Sequence, residues 1–272
     1  MHVRVLGSSS AGNCTVLWDD HRALLIDIGF SARYISRHLR TVGLSLRDVA
    51  GVVITHMHGD HVHPFTLSSF MALGIPIYAP YAVLEVLCDQ FREARKARGT
   101  PRLRPIASGH ADVGPFAVDA CPVPHDAPGG CFAYAVSAET LAGTAKATVA
   151  TDLGYVPEGL TAHCADSHVL VVESNHDAEM LETSHRPLWL KERIRTIGHL
   201  SNDQSGRFVR DILSASRFHP EAVVLAHVSK ECNTNERAIA SMQKNLQEHG
   251  AHAVRVVETF RNAPNETVSF CL

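Results

Sequence analysis

Gly51-Val52-Val53-Ile54-Thr55-His56-Met57-His58-Gly59-Asp60-His61 joins a short apolar, β-branched run to three histidines and one aspartate packed into six residues. A run of that kind closed by polar punctuation predicts a buried strand. Alternate residues leave an extended chain on the same side, so His56 and His58 are expected to aim at one metal ion. A turn at Gly59 then presents Asp60 and His61 to a second point a few ångströms away. Neutral imidazoles with a carboxylate suit zinc, or manganese where oxygen ligands contribute more. A lone histidine is ordinarily a solvated or hydrogen-bonded side chain. Three of them with an aspartate, directly after a buried strand, are poorly explained that way.

Short apolar runs of the same type recur at 3–6, 23–27, 76–79, 116–121, 132–136, 147–151, 168–173, 222–226 and 254–258, each ending in polar or Gly/Pro residues. Helical patterns sit between them. Ser31 is placed to cap a helix bearing Ile35, Leu39 and Val42 that stops at Gly43. Ser201-Asn202-Asp203-Gln204 reads as a capping box leading into Phe208, Val209, Ile212 and Leu213. Asn235 is expected to cap a helix bearing Ile239, Met242 and Leu246, and 84–98 and 188–194 also read as helices. With no linker, low-complexity tract or tandem repeat in view, residues 1–272 are expected to form one α/β domain, sheet packed on sheet with helices outside.

A two-metal site needs ligands from elsewhere in the chain. His125 in Pro122-Val123-Pro124-His125-Asp126, Asp152 after Val149-Ala150-Thr151, and His227 after Leu225-Ala226 share one context, a polar residue just beyond an apolar run. Taken singly, each is as readily strand-end punctuation as a ligand.

Ile26-Asp27-Ile28-Gly29, then Thr55-His56-Met57-His58-Gly59-Asp60-His61, then His125, Asp152 and His227 resemble, in order, the five motifs of the metallo-β-lactamase superfamily. The resemblance implies an αββα four-layer sandwich with the site at one edge of the two sheets. It implies that His56, His58 and His125 hold a first ion, that Asp60, His61 and His227 hold a second, and that Asp152 bridges them. Asp27 would support the site loop from behind the ligands. Longer strings are more specific. Leu6-Gly7-Ser8-Ser9-Ser10-Ala11-Gly12-Asn13, Asp152-Leu153-Gly154-Tyr155-Val156, Glu173-Ser174-Asn175-His176-Asp177, Gly198-His199-Leu200-Ser201-Asn202 and Ala226-His227-Val228-Ser229 are similar to the YycJ (WalJ, VicX) group, over nearly the whole chain.

Members of that group are regarded as DNA exonucleases working 5′→3′. The resemblance therefore implies a phosphodiesterase with two divalent ions, Zn or Mn, acting on nucleic acid, specifically DNA. A metal-bridging hydroxide would be the nucleophile. His199 resembles the histidine that protonates the leaving oxygen in related tRNA-processing nucleases, with Glu173 orienting it. Asp60 is expected to serve in catalysis as well as ligation, and Asn175, His176 and Asn202 to contact substrate.

The formal net charge of −3 and pI near 6.6 give no global field for a polyanion, so any nucleic-acid surface must be a local patch. Arg92, Arg95, Lys96, Arg98, Arg102 and Arg104 form one candidate; Arg186, Lys191, Arg193 and Arg195, with Trp189 for base stacking, form another. No apolar run approaches the roughly 18 residues that span a bilayer, so no membrane partner is expected. Seven scattered cysteines without a CxxC pair, and a start that leads straight into a strand, point to reduced thiols and a cytoplasmic location. The segment 7–13 lacks the lysine of a P-loop and does not fit GxSxG; it is expected to form a tight turn whose amides or Asn13 support the site. Competing readings are a small-molecule phosphodiesterase acting on cyclic nucleotides or sugar phosphates, a thioesterase, and a non-catalytic metal-binding scaffold. A β-lactamase is disfavoured by the lack of a secretory leader and by aspartate, rather than cysteine, at 152.

Overall fold

The computed structural model describes residues 1–141 and 143–270. The N-terminal half supplies β1 (His2–Ser9), β2 (Gly12–Trp18), β3 (Ala23–Ile26), α1 (Ala32–Arg40), β4 (Val49–Val53), α2 (Pro64–Ala72), β5 (Ile77–Ala79), α3 (Tyr81–Gln90), α4 (Arg92–Ala97) and β6 (Leu103–Pro105). The C-terminal half supplies β7 (His110–Val113), β8 (Phe116–Val123), β9 (Cys131–Thr140), β10 (Gly143–Ala150), α5 (Leu160–Cys164), β11 (Val169–Glu173), α6 (Ala178–Thr183) and α7 (Leu188–Arg193). It continues through a π-helical turn (Ile194–Gly198), α8 (Asn202–Ala215), β12 (Ala222–Ala226), α9 (Asn235–Glu248), β13 (Arg255–Val257) and β14 (Val268–Ser269).

Two sheets result, ordered β14-β1-β2-β3-β4-β5-β6 and β13-β12-β11-β10-β9-β8-β7. Each begins as an antiparallel meander and turns parallel at its third long strand, at β3/β4 and at β10/β11. Their inner faces meet in one core, where Val5, Leu24, Ile26 and Val53 oppose Phe116, Tyr134, Val149 and Val224. The outer face of the first sheet is covered by Ile35, Leu39, Leu67, Phe70 and Leu87 from α1 to α3. Phe208, Val209, Ile212, Met242 and Leu246 of α8 and α9 cover the second. Covering both faces explains why β3, β4, β11 and β12 are buried throughout and read as unbroken apolar runs. The architecture is the expected αββα sandwich.

Two helix caps form as read from the sequence. The Ser31 hydroxyl accepts from Tyr34 N, and both hydrogen bonds of the Ser201–Gln204 capping box are made. Thr234, not Asn235, caps α9, because the Asn235 amide is drawn to Glu258 and the Thr259 carbonyl. The helix expected over 84–98 breaks at Phe91, which is extended (φ −119°, ψ 120°) while Arg95 turns back onto the Cys88 and Asp89 carbonyls. Strands β2, β6, β7 and β14 escape sequence patterning: β2 opens with Gly-Asn-Cys-Thr, and the other three are two to four residues long. Six cysteines are free thiols; Cys271 lies outside the described residues. Among the described residues no helix is long and apolar enough to cross a membrane.

Candidate metal centre

The C-terminal ends of β3, β4, β10, β11 and β12 open on one edge, and the seven proposed ligands meet there. β4 ends at Val53, so His56 and His58 sit on the loop beyond it, not on the strand itself. Their convergence comes from hydrogen bonding. The Thr55 hydroxyl donates to Asp27 and lies 3.0 Å from His56 Nδ1, which leaves His56 Nε2 as the lone pair. The Gly198 carbonyl accepts from His125 Nδ1 at 2.9 Å, with the same consequence for His125 Nε2. These two nitrogens lie 3.1 and 3.2 Å from His58 Nδ1. Three ring nitrogens facing one point repel unless a cation sits among them.

His61 Nε2 faces Asp152 Oδ2 at 3.4 Å and Asp60 Oδ2 at 3.6 Å. His227 Nε2 faces Asp60 Oδ2 at 3.9 Å, and its Nδ1 lies 3.2 Å from Asp152 Oδ1. Asp152 thus sits between the two groups, and its buried Oδ2 has no hydrogen-bond partner. A buried bare carboxylate oxygen is costly without a cation. The orphaned oxygen and the converging nitrogens both fit divalent metal.

Ionisation tells the same story. Burial opposes charge on His61, yet Asp27, Asp152 and Asp60 outweigh it and raise its pKa to about 10. Burial likewise opposes charge on His227, but Asp152 and Glu173 raise its pKa to about 9. Burial pushes Asp152 up, and His227, His61 and His56 pull it well below the usual carboxylate range. Burial and the charge on His61 hold His56 well below an ordinary histidine. Without metal, then, protons on His61 and His227 neutralise the carboxylates, in the place a dication would take.

A second set of residues fixes the candidate ligands. Asp27, at φ 61°, accepts from Thr55 N, Thr55 Oγ1 and His61 Nδ1 at 2.7–2.8 Å. Asn13 Nδ2 reaches Asp60 Oδ2 at 3.1 Å and His61 Nε2 at 3.0 Å, so the segment 7–13 does brace the site. Ser8 Oγ accepts from His227 N at 2.8 Å, a contact sequence reading missed although Ser8 lies in the same string. A Cβ on Gly29 would lie 1.8 Å from the Asp60 carbonyl oxygen, so only glycine lets this turn and the ligand loop touch.

Glu173 is fully buried at the end of β11. Its Oε1 lies 2.8 Å from His199 Nδ1 and 2.9 Å from His227 Nδ1, and its Oε2 accepts from Leu153 N and Leu200 N. His199 and His227 pull its pKa down to about 2 against the opposing effect of burial. Asn175 lines the cleft and donates to the His227 carbonyl. His176 and Asn202, expected to contact substrate, are both buried. Asn202 is 5% exposed, and its amide is engaged with Ser174 and Asn233, locking three loops together. His176 is 2% exposed, and burial lowers its pKa to about 4.

The two basic runs part company. Lys96 and Arg102 border a groove at the C-terminal end of α2, whereas the metal loop enters α2 at its N-terminus. In the second run Lys191 is buried against the Glu182 carbonyl, and Arg195 pairs with Glu182. Arg186 and Arg193 instead line a cavity of about 280 Å³ beside His199 and His227, together with Lys230 and Arg261. Trp189 is exposed on α7.

The family model of the β-lactamase superfamily domain matches residues 22–228. The chain belongs to the metallo-β-lactamase superfamily. It is similar to a Bacillus anthracis protein named exodeoxyribonuclease YycJ, 29% identical over 92% of this chain and 90% of that one. Exodeoxyribonuclease WalJ of Streptococcus pneumoniae is 25% identical over 89% and 87% of the two chains. The crystal structure of the metallo-β-lactamase fold protein YhfI from Bacillus subtilis shares the fold at a TM-score of 0.69, with 14% identity and 98% of both chains covered. The expectation of a YycJ-like member of this superfamily is met, and the chain is a metal-dependent hydrolase. The fold implies divalent metal, and the His/Asp clusters supply candidate ligands for it.

Proposed function

We propose that this chain is a phosphodiesterase with two divalent ions that removes nucleotides from DNA in the 5′→3′ direction. The observation that carries the reading is His199. Its imidazole is held by Glu173 and lies 3.9 Å from Asp152, and it opens onto a cleft rimmed by four cations. A thioester or lactam needs no cationic cleft; a nucleic-acid backbone does. The names of the YycJ and WalJ relatives support the same substrate.

His56, His58 and His125 would hold one ion, Asp60, His61 and His227 the other, with Asp152 between them. Such ions supply polarisation of a phosphoryl oxygen and a water acidic enough to attack at neutral pH. The chain's own residues do the rest. Glu173 engages His199 Nδ1, so Nε2 is left to hand a proton to the departing oxygen. The same carboxylate positions His227, coupling ligand and proton donor through one buried group. Asn175, fixed by the His227 carbonyl, stands at the cleft wall for a substrate contact.

The test is a duplex DNA labelled separately at each end, incubated with Mn²⁺ or Zn²⁺ beside a His58→Ala control. Metal-dependent shortening from the 5′ end, lost in the control, is expected. Intact DNA with turnover of a small bis-aryl phosphodiester would replace this reading with a small-molecule phosphodiesterase.

A further inference from the structure

We infer that the exposed face of α1 is a docking surface for the phosphate backbone of nucleic acid beyond the nucleotides engaged at the metal centre. That the polyanion is the substrate rests on the phosphodiesterase reading above; the basic face stands on its own. In Ala32-Arg33-Tyr34-Ile35-Ser36-Arg37-His38-Leu39-Arg40 the apolar Ile35 and Leu39 are buried. Arg33, Arg37 and Arg40 recur at i, i+4 and i+7 on the opposite side, and all three are exposed. The helix contains no acidic residue. Among the described residues, none of the three lies within ion-pair distance of a carboxylate. Arg4 beside them is bonded only to the Thr41 hydroxyl and the Asn265 carbonyl, each at 2.9 Å. The helices over the second sheet differ, for Arg210 of α8 pairs with Glu248 and Arg237 of α9 with Asp177.

Helix stability does not account for this pattern. Cations in a last turn complement the helix dipole, which covers Arg37 and Arg40, but Arg33 stands in the first turn, where the dipole repels it. Arg33 and Arg37 also repel each other at i, i+4. The unbalanced charge is felt nearby: burial, then Arg37 and Arg4, hold His38 below an ordinary histidine. The three arginines line a cavity of about 750 Å³ with Ser31, Ser36 and Leu46.

The stripe leads away from the metal edge. α1 starts just past Gly29, which abuts the Asp60 carbonyl, and returns the chain to the start of β4, parallel to β3. Arg33 is therefore nearest the site and Arg40 farthest. One packed column ties the stripe to the cleft wall. The β1–β2 turn carries Ser9 and Ser10 of that wall, and a Cβ on Gly7 or Gly12 would strike the Phe30 ring at 2.4 or 2.9 Å. Phe30 stacks on Tyr34 with ring centroids 4.6 Å apart, and the Tyr34 hydroxyl donates to the Leu6 carbonyl at 2.6 Å. The Arg37 guanidinium lies 5.5 Å over the Tyr34 ring, which holds it in place. From Arg33 to Arg40 the helix rises about 10 Å. One strand of B-DNA sets a phosphate every ~3.4 Å along its axis, so the stripe matches about three of them. Guanidinium forks suit phosphate oxygens, and none of the large exposed apolar side chains among the described residues lies on α1. A folded acidic partner would need such an apolar centre; a charged backbone does not.

Anisotropy of the metal-loaded protein with a fluorescent phosphorothioate single strand of about 20 nucleotides, charged yet slow to cleave, tests this. Over about 50–200 mM salt, the logarithm of the binding constant falls with log salt by about 0.7 per phosphate neutralised. Arg33→Ala/Arg37→Ala/Arg40→Ala should flatten that slope by about 2, the share of three contacts. Alanine is a strong helix former, so α1 should survive, with an unchanged circular dichroism spectrum. Arg33→Lys/Arg37→Lys/Arg40→Lys should keep the slope. So should Arg92→Ala/Lys96→Ala/Arg102→Ala, a charge-matched change in the other basic run. An unflattened slope in the α1 alanine variant, or equal flattening in the 92/96/102 variant, would overturn the surface. So would stripe-dependent capture of poly-glutamate without stripe-dependent DNA binding, which would assign the face to an acidic protein. A preserved slope difference in protein that leaves end-labelled DNA intact would keep the surface and remove the nuclease reading. Directional degradation with no slope difference would do the reverse.

Discussion

After β3 the chain turns through Asp27 and Gly29, and after β10 it turns through Asp152 and Gly154. Both aspartates hold a left-handed backbone, at φ 61° and 60°, a conformation that side chains other than glycine seldom adopt. A Cβ on Gly29 would collide with the Asp60 backbone at 1.8 Å, and one on Gly154 with Ile197 Cα at 2.3 Å. The two halves thus use one device, an aspartate and a glycine at the exit of the last antiparallel strand, to dock the next loop. They use it for different ends. Asp27 spends both oxygens on Thr55 and His61, whereas Asp152 keeps Oδ2 bare at the centre of the site. Bracing in the second half has passed to Glu173, which takes Leu153 N and Leu200 N on one oxygen and two imidazoles on the other.

That division of labour is breakable. Asp152→Asn removes the carboxylate proposed to be shared by the two ions, and turnover and the second equivalent of bound metal, read by elemental analysis, should both fall below detection. Asp27→Asn removes only a brace and should cost about 10–100-fold in metal affinity. Equal losses in the two variants would mean that the aspartates do the same job. Glu173→Gln comes next in size. It should lower kcat by about 10²–10⁴-fold through His199 while KM stays within a few-fold. A KM that rises in step with the fall in kcat would instead make Glu173 a general support of the fold.

The halves also differ in how plainly they can be read. In the first, four candidate ligands fall within six residues behind a buried strand, and their density and donor chemistry single them out, although hydrogen bonds on the loop rather than strand periodicity bring them together. In the second, His125, Asp152 and His227 stand 27 and 75 residues apart (152 − 125; 227 − 152), and only motif order distinguishes them from strand-end residues. The duplicated sheet plan leaves no tandem repeat because it is carried by strand direction and by Asp-x-Gly alone. Lys230 and Arg261 were invisible for a related reason. Neither belongs to a basic run, and a cleft assembled from the loops after β1, β12 and β13 has no local signature. The run at 92–104 shows the converse difficulty, since charge density along a chain says nothing about which end of a helix faces the site.

Protonation offers a subtler probe of the same contrast. His61 belongs to the first half and His227 to the second, with pKa values near 10 and 9 in the absence of metal. Both are raised above the ordinary 6.5, so their contribution to stability is complete below pH 6.5 and is lost as pH climbs through 9 and then 10. The melting temperature of metal-free protein should therefore drop over that window, and that of metal-loaded protein should not. Metal uptake at pH 7 should release close to one proton from each imidazole, seen by calorimetry in buffers of different ionisation enthalpy. Affinity should weaken about tenfold per proton for each unit of acidification. Release of no protons would show that the metal does not displace them.

The smallest effect should separate the two glycines. Gly29→Ala must push the Asp60 carbonyl, backbone of the ligand loop itself, whereas Gly154→Ala presses on the π-helical turn at Ile197, one step removed from any ligand. Both overpack a buried junction, and each should cost about 1–3 kcal/mol of stability in denaturant melts. Their functional signatures should differ. Gly29→Ala should weaken the metal bound through Asp60 and His61, because Asn13, Asp60 and Gly29 are joined through adjacent backbone bonds. Gly154→Ala should spare the ion held through Asp60 and His61 and lower kcat, because the displaced turn leads directly into His199; any metal loss should fall on the ion held through His125, whose Nδ1 the Gly198 carbonyl of that turn fixes. Loss of the Asp60/His61 ion in Gly154→Ala, or full metal retention in Gly29→Ala, would show that the two docking contacts are interchangeable and that the halves are not specialised at this level.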